Sequence, residues 1–186
     1  EGRLVHWGLL PSRAGGGPDV QLAKRSLVRA HRRDGLAGLV TVVGVRYTTA
    51  RHTAEGAVDC VFDQLGRTIA PVSRSATAPL VGGDEFDAPT VSAHVRKEVP
   101  ALASRDVDRL VRSYGSRAVD LARTMRDERL QRPLSAACPI TLAEVEFAVR
   151  EEMAVTLADV VLRRTEAGTA GSPGEEALQA AARHVG

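Results

Sequence analysis

The chain has 186 residues, of which 44% are hydrophobic, enough to build a real core and to rule out disorder throughout. Aromatic residues make up only 3%, too few for the stacking platform of a single-strand nucleic-acid binder, so nucleic acid is not an expected partner. The net charge of +2 is unevenly spread, with nine Lys or Arg against three Asp or Glu in residues 1–51, twelve of each in 52–140, and four against eight in 141–186.

The first third is therefore a candidate anion-binding region and the last third an acidic one. Arginine outnumbers lysine 23 to 2, and its planar fork suits phosphate and carboxylate. No apolar run reaches the ~18 residues of a membrane span. Cys60 and Cys138 lie too far apart for a zinc knuckle or a redox pair. They read as reduced thiols in small core positions of a cytoplasmic protein.

Taken in chain order, residues 3–10 read as an extended apolar segment, ended by Pro11 and by a Gly15-Gly16-Gly17-Pro18 loop. No signal peptide or basic amphipathic leader is legible ahead of it. Residues 24–31 are a second candidate strand. Residues 39–43, Leu-Val-Thr-Val-Val, are the strongest, apolar on both faces as in a buried sheet. A helix is predicted over 49–65, with Gly66 as its stop. Residues 67–91, rich in Pro, Gly, Ser and Thr, read as a connection.

Beyond it the pattern is helical: short helices over 91–99 and 106–113, a longer one over 116–130, and the longest over 141–167. In that longest helix Thr141 and Glu144 have capping-box spacing, and Val149, Met153 and Leu157 read as its core positions. A last helix is predicted over 174–184. Three strands and one helix ahead of an all-helical portion, with little to cover strand 39–43, suggest the C-terminal piece of a larger protein. The fold class is α+β, mainly α, in three stretches: 1–66, a linker over 67–90, and a helical domain over 91–186.

The stretch Val42-Val43-Gly44-Val45-Arg46-Tyr47-Thr48-Thr49-Ala50-Arg51 carries the clearest chemistry. It is a strand, a glycine turn and a Thr-capped helix start. Unpaired amides at such a start attract anions, and Arg46 and Arg51 add charge beside them. An ordinary strand-to-helix turn with two solvated arginines is the alternative. Glu144, Glu151, Glu152 and Asp159 lack Glu-x-x-His spacing, so no metal site is expected and they read as a solvated acidic face. No Gly-x-Ser-x-Gly elbow or His-Glu-x-x-His occurs.

Gly44-Val45-Arg46-Tyr47-Thr48-Thr49-Ala50-Arg51 resembles the Gly-Gly-Lys-x-Thr-Thr-x-Arg pattern of FAD-dependent glycerol-3-phosphate dehydrogenases and oxidases. Tyr114-Gly115-Ser116 resembles that family's Tyr-Gly-Ser/Thr turn. The run Glu144 to Glu152 resembles its Glu-x7-Glu helix, and Leu157 to Thr165 its Leu-x-Asp-x-Leu-x-Arg-Arg-Thr ending. In order, these cover residues 3 to about 170. The resemblance implies that 1–66 is the end of the FAD/substrate domain and 91–186 the C-terminal helical domain. It also implies that Gly44, Val45, Arg46, Tyr47 and Thr48 contact FAD, with Arg46 in place of the family's lysine and near the substrate as well.

The same resemblance makes Arg25 the candidate for holding the substrate phosphate. Leu10, in Gly8-Leu9-Leu10-Pro11, stands where the family has a second phosphate-binding arginine, with Arg13 close by. His31 reads as a surface histidine. No catalytic residue is expected in this stretch, because the family's proton-abstracting histidine lies upstream. The Gly-x-Gly-x-x-Gly fingerprint is absent, so the chain alone is expected neither to retain FAD nor to turn over substrate.

The implied activity is oxidation of glycerol 3-phosphate to dihydroxyacetone phosphate by hydride transfer to flavin, with quinone or oxygen as electron acceptor. The parent would be cytoplasmic, or peripheral on the inner face of the cell membrane, and compatible with a homodimer. Leu10 leaves open a related flavin oxidase of a hydroxy or amino acid. From another class, residues 91–186 could be a non-catalytic helical interaction module, which an upstream FAD fingerprint would exclude.

Overall fold

Two four-residue strands, the second made wholly of β-branched residues, set up a short ribbon. Strand β1 (Leu27–Ala30) pairs antiparallel with β2 (Val40–Val43), placing Leu27 opposite Val43 and Ala30 opposite Val40. These come from a computed structural model describing residues 11–12, 21–67, 71–84 and 87–185. The segment expected at 3–10, with Leu10 in it, the 15–18 loop and Arg13 lie outside the described residues. The ribbon's loop turns through a short 3-10 segment, Arg32–Asp34, and Gly35 at φ 80°.

His31 closes that loop. Its Nδ1 lies 2.7 Å from Asp34 Oδ2 and its Nε2 2.8 Å from Thr41 Oγ1, with only 18% of its side chain exposed. The expected surface histidine is thus a loop fastener. Arg29 also donates to both Asp34 oxygens, at 3.0 and 2.8 Å. The His31 hydrogen bond, and then Arg29, hold the Asp34 carboxyl below its ordinary range.

Helix α1 (Ala50–Gln64) packs on both strands and ends at Gly66, φ 71°. Strand 39–43 is expected from its sequence to be buried on both faces, but Leu39 and Val42 are about half exposed. The reason is topological: among the described residues the ribbon has two strands and one covering helix. Likewise no residue of α1 is fully buried, and Cys60 is half-buried rather than in a core.

The chain divides into two compact units, one within His6–Pro79 and one within Leu80–Gly186. The second contains helices α2 (Ala88–Glu98), α3 (Ser104–Tyr114) and α4 (Ala118–Thr124). Asp87 caps α2 by accepting from Thr90 N at 3.0 Å, with Pro89 in the first turn, where no amide partner is lost. Val95, Val107, Leu110, Leu121 and Met125 form a fully buried cluster between these helices and α5 (Leu142–Glu151).

The single helix expected over 116–130 is broken. Gly115–Arg117 is a 3-10 turn, α4 ends at Thr124, and Glu128–Gln131 is a second 3-10 turn capped by Asp127. Gly115 sits at φ 58°. A Cβ there would lie 1.9 Å from the Gly82 carbonyl oxygen, which accepts from Ser116 N at 2.9 Å. The turn is therefore built around a backbone contact that no side chain fits.

A hairpin not foreseen in the sequence follows: β3 (Pro133–Ser135) against β4 (Cys138–Thr141), with Ser135 opposite Cys138. The helix expected over 141–167 is also broken. Helix α5 ends at Glu151, a non-helical turn follows, and Leu157–Asp159 (α6) runs into a π-helical stretch, Val160–Arg164. Met153, expected in the core, is 82% exposed in the left-handed region at φ 57°. Val149 and Leu157 are half-buried.

The physical cause is a second capping box. Thr156 accepts from Asp159 N, and Asp159 Oδ2 accepts from Thr156 N at 2.9 Å, so a new helix starts there. Helix α5 buries Ala143 and Phe147 in the first cluster. Its Val145 and Ala148 join Leu134, Cys138, Ile140, Val160 and, from α7 (Glu175–Val185), Ala177 and Ala181 in a second. Among the described residues no helix is long and apolar enough to cross a membrane. The fold is mainly α with a few short strands.

Candidate functional site

Gly44 opens the turn after β2. Its φ is not positive and an added Cβ would meet nothing within 4 Å, so nothing in its described surroundings demands glycine. Arg46 is extended (φ −133°, ψ 128°) and exposed, and its carbonyl accepts from Thr49 N at 3.1 Å and Thr49 Oγ1 at 2.9 Å. Tyr47 is 92% exposed. The amides of Val45 and Arg46 have no protein acceptor among the described residues. Residues 44–48 thus present bare backbone and one cation.

Arg51 behaves differently from Arg46. Its guanidinium donates to the Ser75 carbonyl and, at 2.8 Å, to that of Ala78. It fastens the segment after α1 rather than standing free at the helix start.

Beside the ribbon lies a cleft of about 540 Å³, lined by Lys24, Arg25, Ser26, Val28, Thr49, His52, Thr53 and Gly56. The Thr53 hydroxyl donates to Ser26 Oγ at 2.9 Å, tying the strand approach to α1. Thr49, at the N-cap of α1, makes no side-chain cap, and Ala50 N donates to the Tyr47 carbonyl of the preceding 3-10 turn, so the positive potential at this end comes from the helix dipole. Two cations and a helix start therefore share one concave surface, which is what an anionic group needs. Of the residues singled out in the sequence, Arg25 and Thr49 line this cleft; Gly44, Val45, Arg46, Tyr47 and Thr48 do not. His52 and Thr53 have no motif of their own and enter only through the structure.

The helical unit holds a second polar centre. Glu144, assigned in the sequence to a solvated acidic face, is 1% exposed. Arg109 donates to it through both terminal nitrogens, at 2.6 and 2.8 Å, and to the Pro139 carbonyl at 3.2 Å. Tyr114 donates at 3.2 Å, and Thr141 completes the predicted capping box through its amide at 2.8 Å and hydroxyl at 3.0 Å.

Burial alone would lower Arg109, but the bond to Glu144 outweighs it and the guanidinium is held above its ordinary range. Burial, then the Glu144 charge, push the Tyr114 phenol well up, so it stays a donor. This is a structural keystone. The partner of Glu144 is 35 residues away, which no local pattern reveals. Among the described residues no His, Cys, Asp or Glu group is arranged to hold a metal ion.

Against known proteins, residues 73–186 match the family model of the C-terminal domain of alpha-glycerophosphate oxidase. A glycerol-3-phosphate dehydrogenase of Synechocystis is 32% identical over 145 residues, covering 77% of this chain and 26% of that protein. The aerobic glycerol-3-phosphate dehydrogenase of Bacillus subtilis is 32% identical over 140 residues, 69% of this chain and 25% of its own. Glycerol-3-phosphate dehydrogenase 1 of Mycobacterium tuberculosis is 29% identical over 162 residues, 87% and 30% respectively.

The helical unit thus belongs to the domain family described as the C-terminal domain of alpha-glycerophosphate oxidase. The chain belongs to the glycerol-3-phosphate dehydrogenase and oxidase family, as its four motifs implied. It spans between 25% and 30% of the length of these curated relatives.

Proposed function

We propose that this chain closes an FAD-dependent enzyme that oxidises glycerol 3-phosphate to dihydroxyacetone phosphate. Residues 1–66 would be the end of its FAD/substrate domain, 67–90 the linker and 91–186 its C-terminal helical domain. The observation that carries the reading is the family match over residues 73–186, accompanied by dehydrogenase relatives aligned over longer stretches. When bound, FAD would supply the two-electron acceptor, and quinone or oxygen would take the electrons onward. The enzyme would be cytoplasmic or peripheral on the inner membrane face.

The residues present fit that cofactor. The open Gly44, the amides of Val45 and Arg46, which have no acceptor among the described residues, and the exposed Tyr47 and Thr48 would hold it through backbone contacts. Arg46 would add a cation near the place where negative charge gathers, stabilising it electrostatically. Arg25 and Lys24, just ahead of β1 in the cleft shared with α1, would bind the substrate phosphate as charge-assisted donors.

Steady-state kinetics of the full-length, FAD-loaded enzyme with glycerol 3-phosphate test the reading. A charge-assisted hydrogen bond is worth ~1.5–3 kcal/mol, so Arg46→Gln should lower kcat/KM by roughly 10–150-fold. Arg46→Lys should restore most of it. Arg25→Gln should chiefly raise KM, since a phosphate contact is made in ground and transition states alike. Unchanged kinetics in Arg46→Gln would leave 44–51 a plain structural turn.

A further inference from the structure

A second cavity, about 370 Å³, lies within the helical unit. Three stretches far apart in sequence meet there: Arg112 at the end of α3, Glu152 at the C-cap of α5, and Arg163 to Glu166 across the end of the π-helical stretch. Several charges on its wall already have structural duties. Glu144 is held by Arg109, Tyr114 donates to Glu144, and Arg163 donates to Asp159 at 2.9 Å. Subtracting these leaves Arg112 and Arg164 facing Glu152 and Glu166.

Neither Arg112 nor Arg164 takes part in an ion pair or side-chain hydrogen bond among the described residues, although carboxylates share the cavity with them. Two guanidinium groups on one concave wall, neither with a hydrogen-bond partner among the described residues, can both donate to a single oxyanion. The volume is within the range of small-molecule sites. Burial raises Glu152, an effect that Arg164 and Arg117 only partly oppose. A carboxyl so placed can accept from ligand hydroxyls or donate to a ligand oxygen.

We propose that this cavity binds a small hydroxylated phosphate ester, its phosphate on Arg112 and Arg164 and its hydroxyls on Glu152 and Glu166. The site shares no residue with the Arg25 cleft and does not depend on the catalytic reading. Arg112 and Arg164 are exposed, so their substitution should leave the fold intact.

The test is calorimetry and amide NMR of the 186-residue chain, titrated separately with glycerol 3-phosphate and with sulfate. Glycerol 3-phosphate should shift the amides of 112–114 and 163–166. Arg112→Gln and Arg164→Gln should each weaken that binding roughly tenfold or more, and the exposed Glu176→Gln on α7 should leave it unchanged. Sulfate should bind more weakly, and Glu152→Gln should narrow the gap between the two ligands. Silence of these amides, or unchanged affinity in Arg164→Gln, would overturn the proposal. Loss of binding in Arg25→Gln alone would move the phosphate to the other cleft and support the catalytic reading instead.

Discussion

Replacing Glu144 by Gln removes one charge from the most buried ion pair described in the chain. The Arg109 side chain is only 16% exposed and its partner 1%, so the guanidinium would be left with little water and no counter-charge. Breaking a buried pair from one side costs ~3–5 kcal/mol. The Gln amide oxygen can still accept from Thr141, so the helix cap, worth ~1 kcal/mol, is largely kept.

A loss of about 3 kcal/mol lowers Tm on the order of 10 °C for a domain this size. Removing both charges, as Arg109→Met with Glu144→Gln, should recover more than half of it, because no unpaired buried charge remains. Thermal and urea melts followed by far-ultraviolet circular dichroism read the effect. A Glu144→Gln midpoint no lower than that of the exposed control Glu176→Gln would refute the keystone role.

Met153→Gly should raise the unfolding free energy read from urea melts by up to ~1 kcal/mol. The left-handed φ of 57° is relieved, the exposed side chain contributes little, and backbone entropy takes back part of the gain. Gly115→Ala should destabilise by at least ~2 kcal/mol in the same assay, while Gly44→Ala, free of contacts and of positive φ, should be neutral. Asp159 is held below its ordinary 3.8 by hydrogen bonds from Thr156 and Val155 and by Arg163. Its contribution is present above that value and lost as pH falls through the lowered one. Asp159→Asn should therefore lower Tm at pH 7 and cease to differ from the parent at strongly acidic pH.

What is legible in the sequence is local. The Thr141–Glu144 box, the Gly66 stop and the helix over 49–65 rest on residues within a turn or so of one another, and all appear as expected. The break at 152–156 is hidden because Met153 and Leu157 continue the three-and-four spacing past the point where the helix ends. No glycine or proline marks the stop, and the Thr156–Asp159 box reads as helix interior.

The 133–141 hairpin is obscured because Pro133 and Pro139 interrupt strands of only three and four residues. Burial of Glu144 depends on Arg109, and the Gly115 turn on Gly82, both distant in sequence. At the candidate site, Arg25 is legible through resemblance. Its neighbours His52 and Thr53 enter only because α1 packs beside β1.

Helix α5 has one face in the cluster built by α2, α3 and α4 and the other in the cluster built by β3, β4 and α7. Neither half of the helical unit can open without stripping this helix of a wall. The two clusters therefore melt as one cooperative block, and the slowest amide exchange should be found in α5 itself. Chain opening at either end, at α2 or at α7, is felt at the opposite cluster within a single helix diameter. A lesion in one half of this domain is consequently a lesion in both.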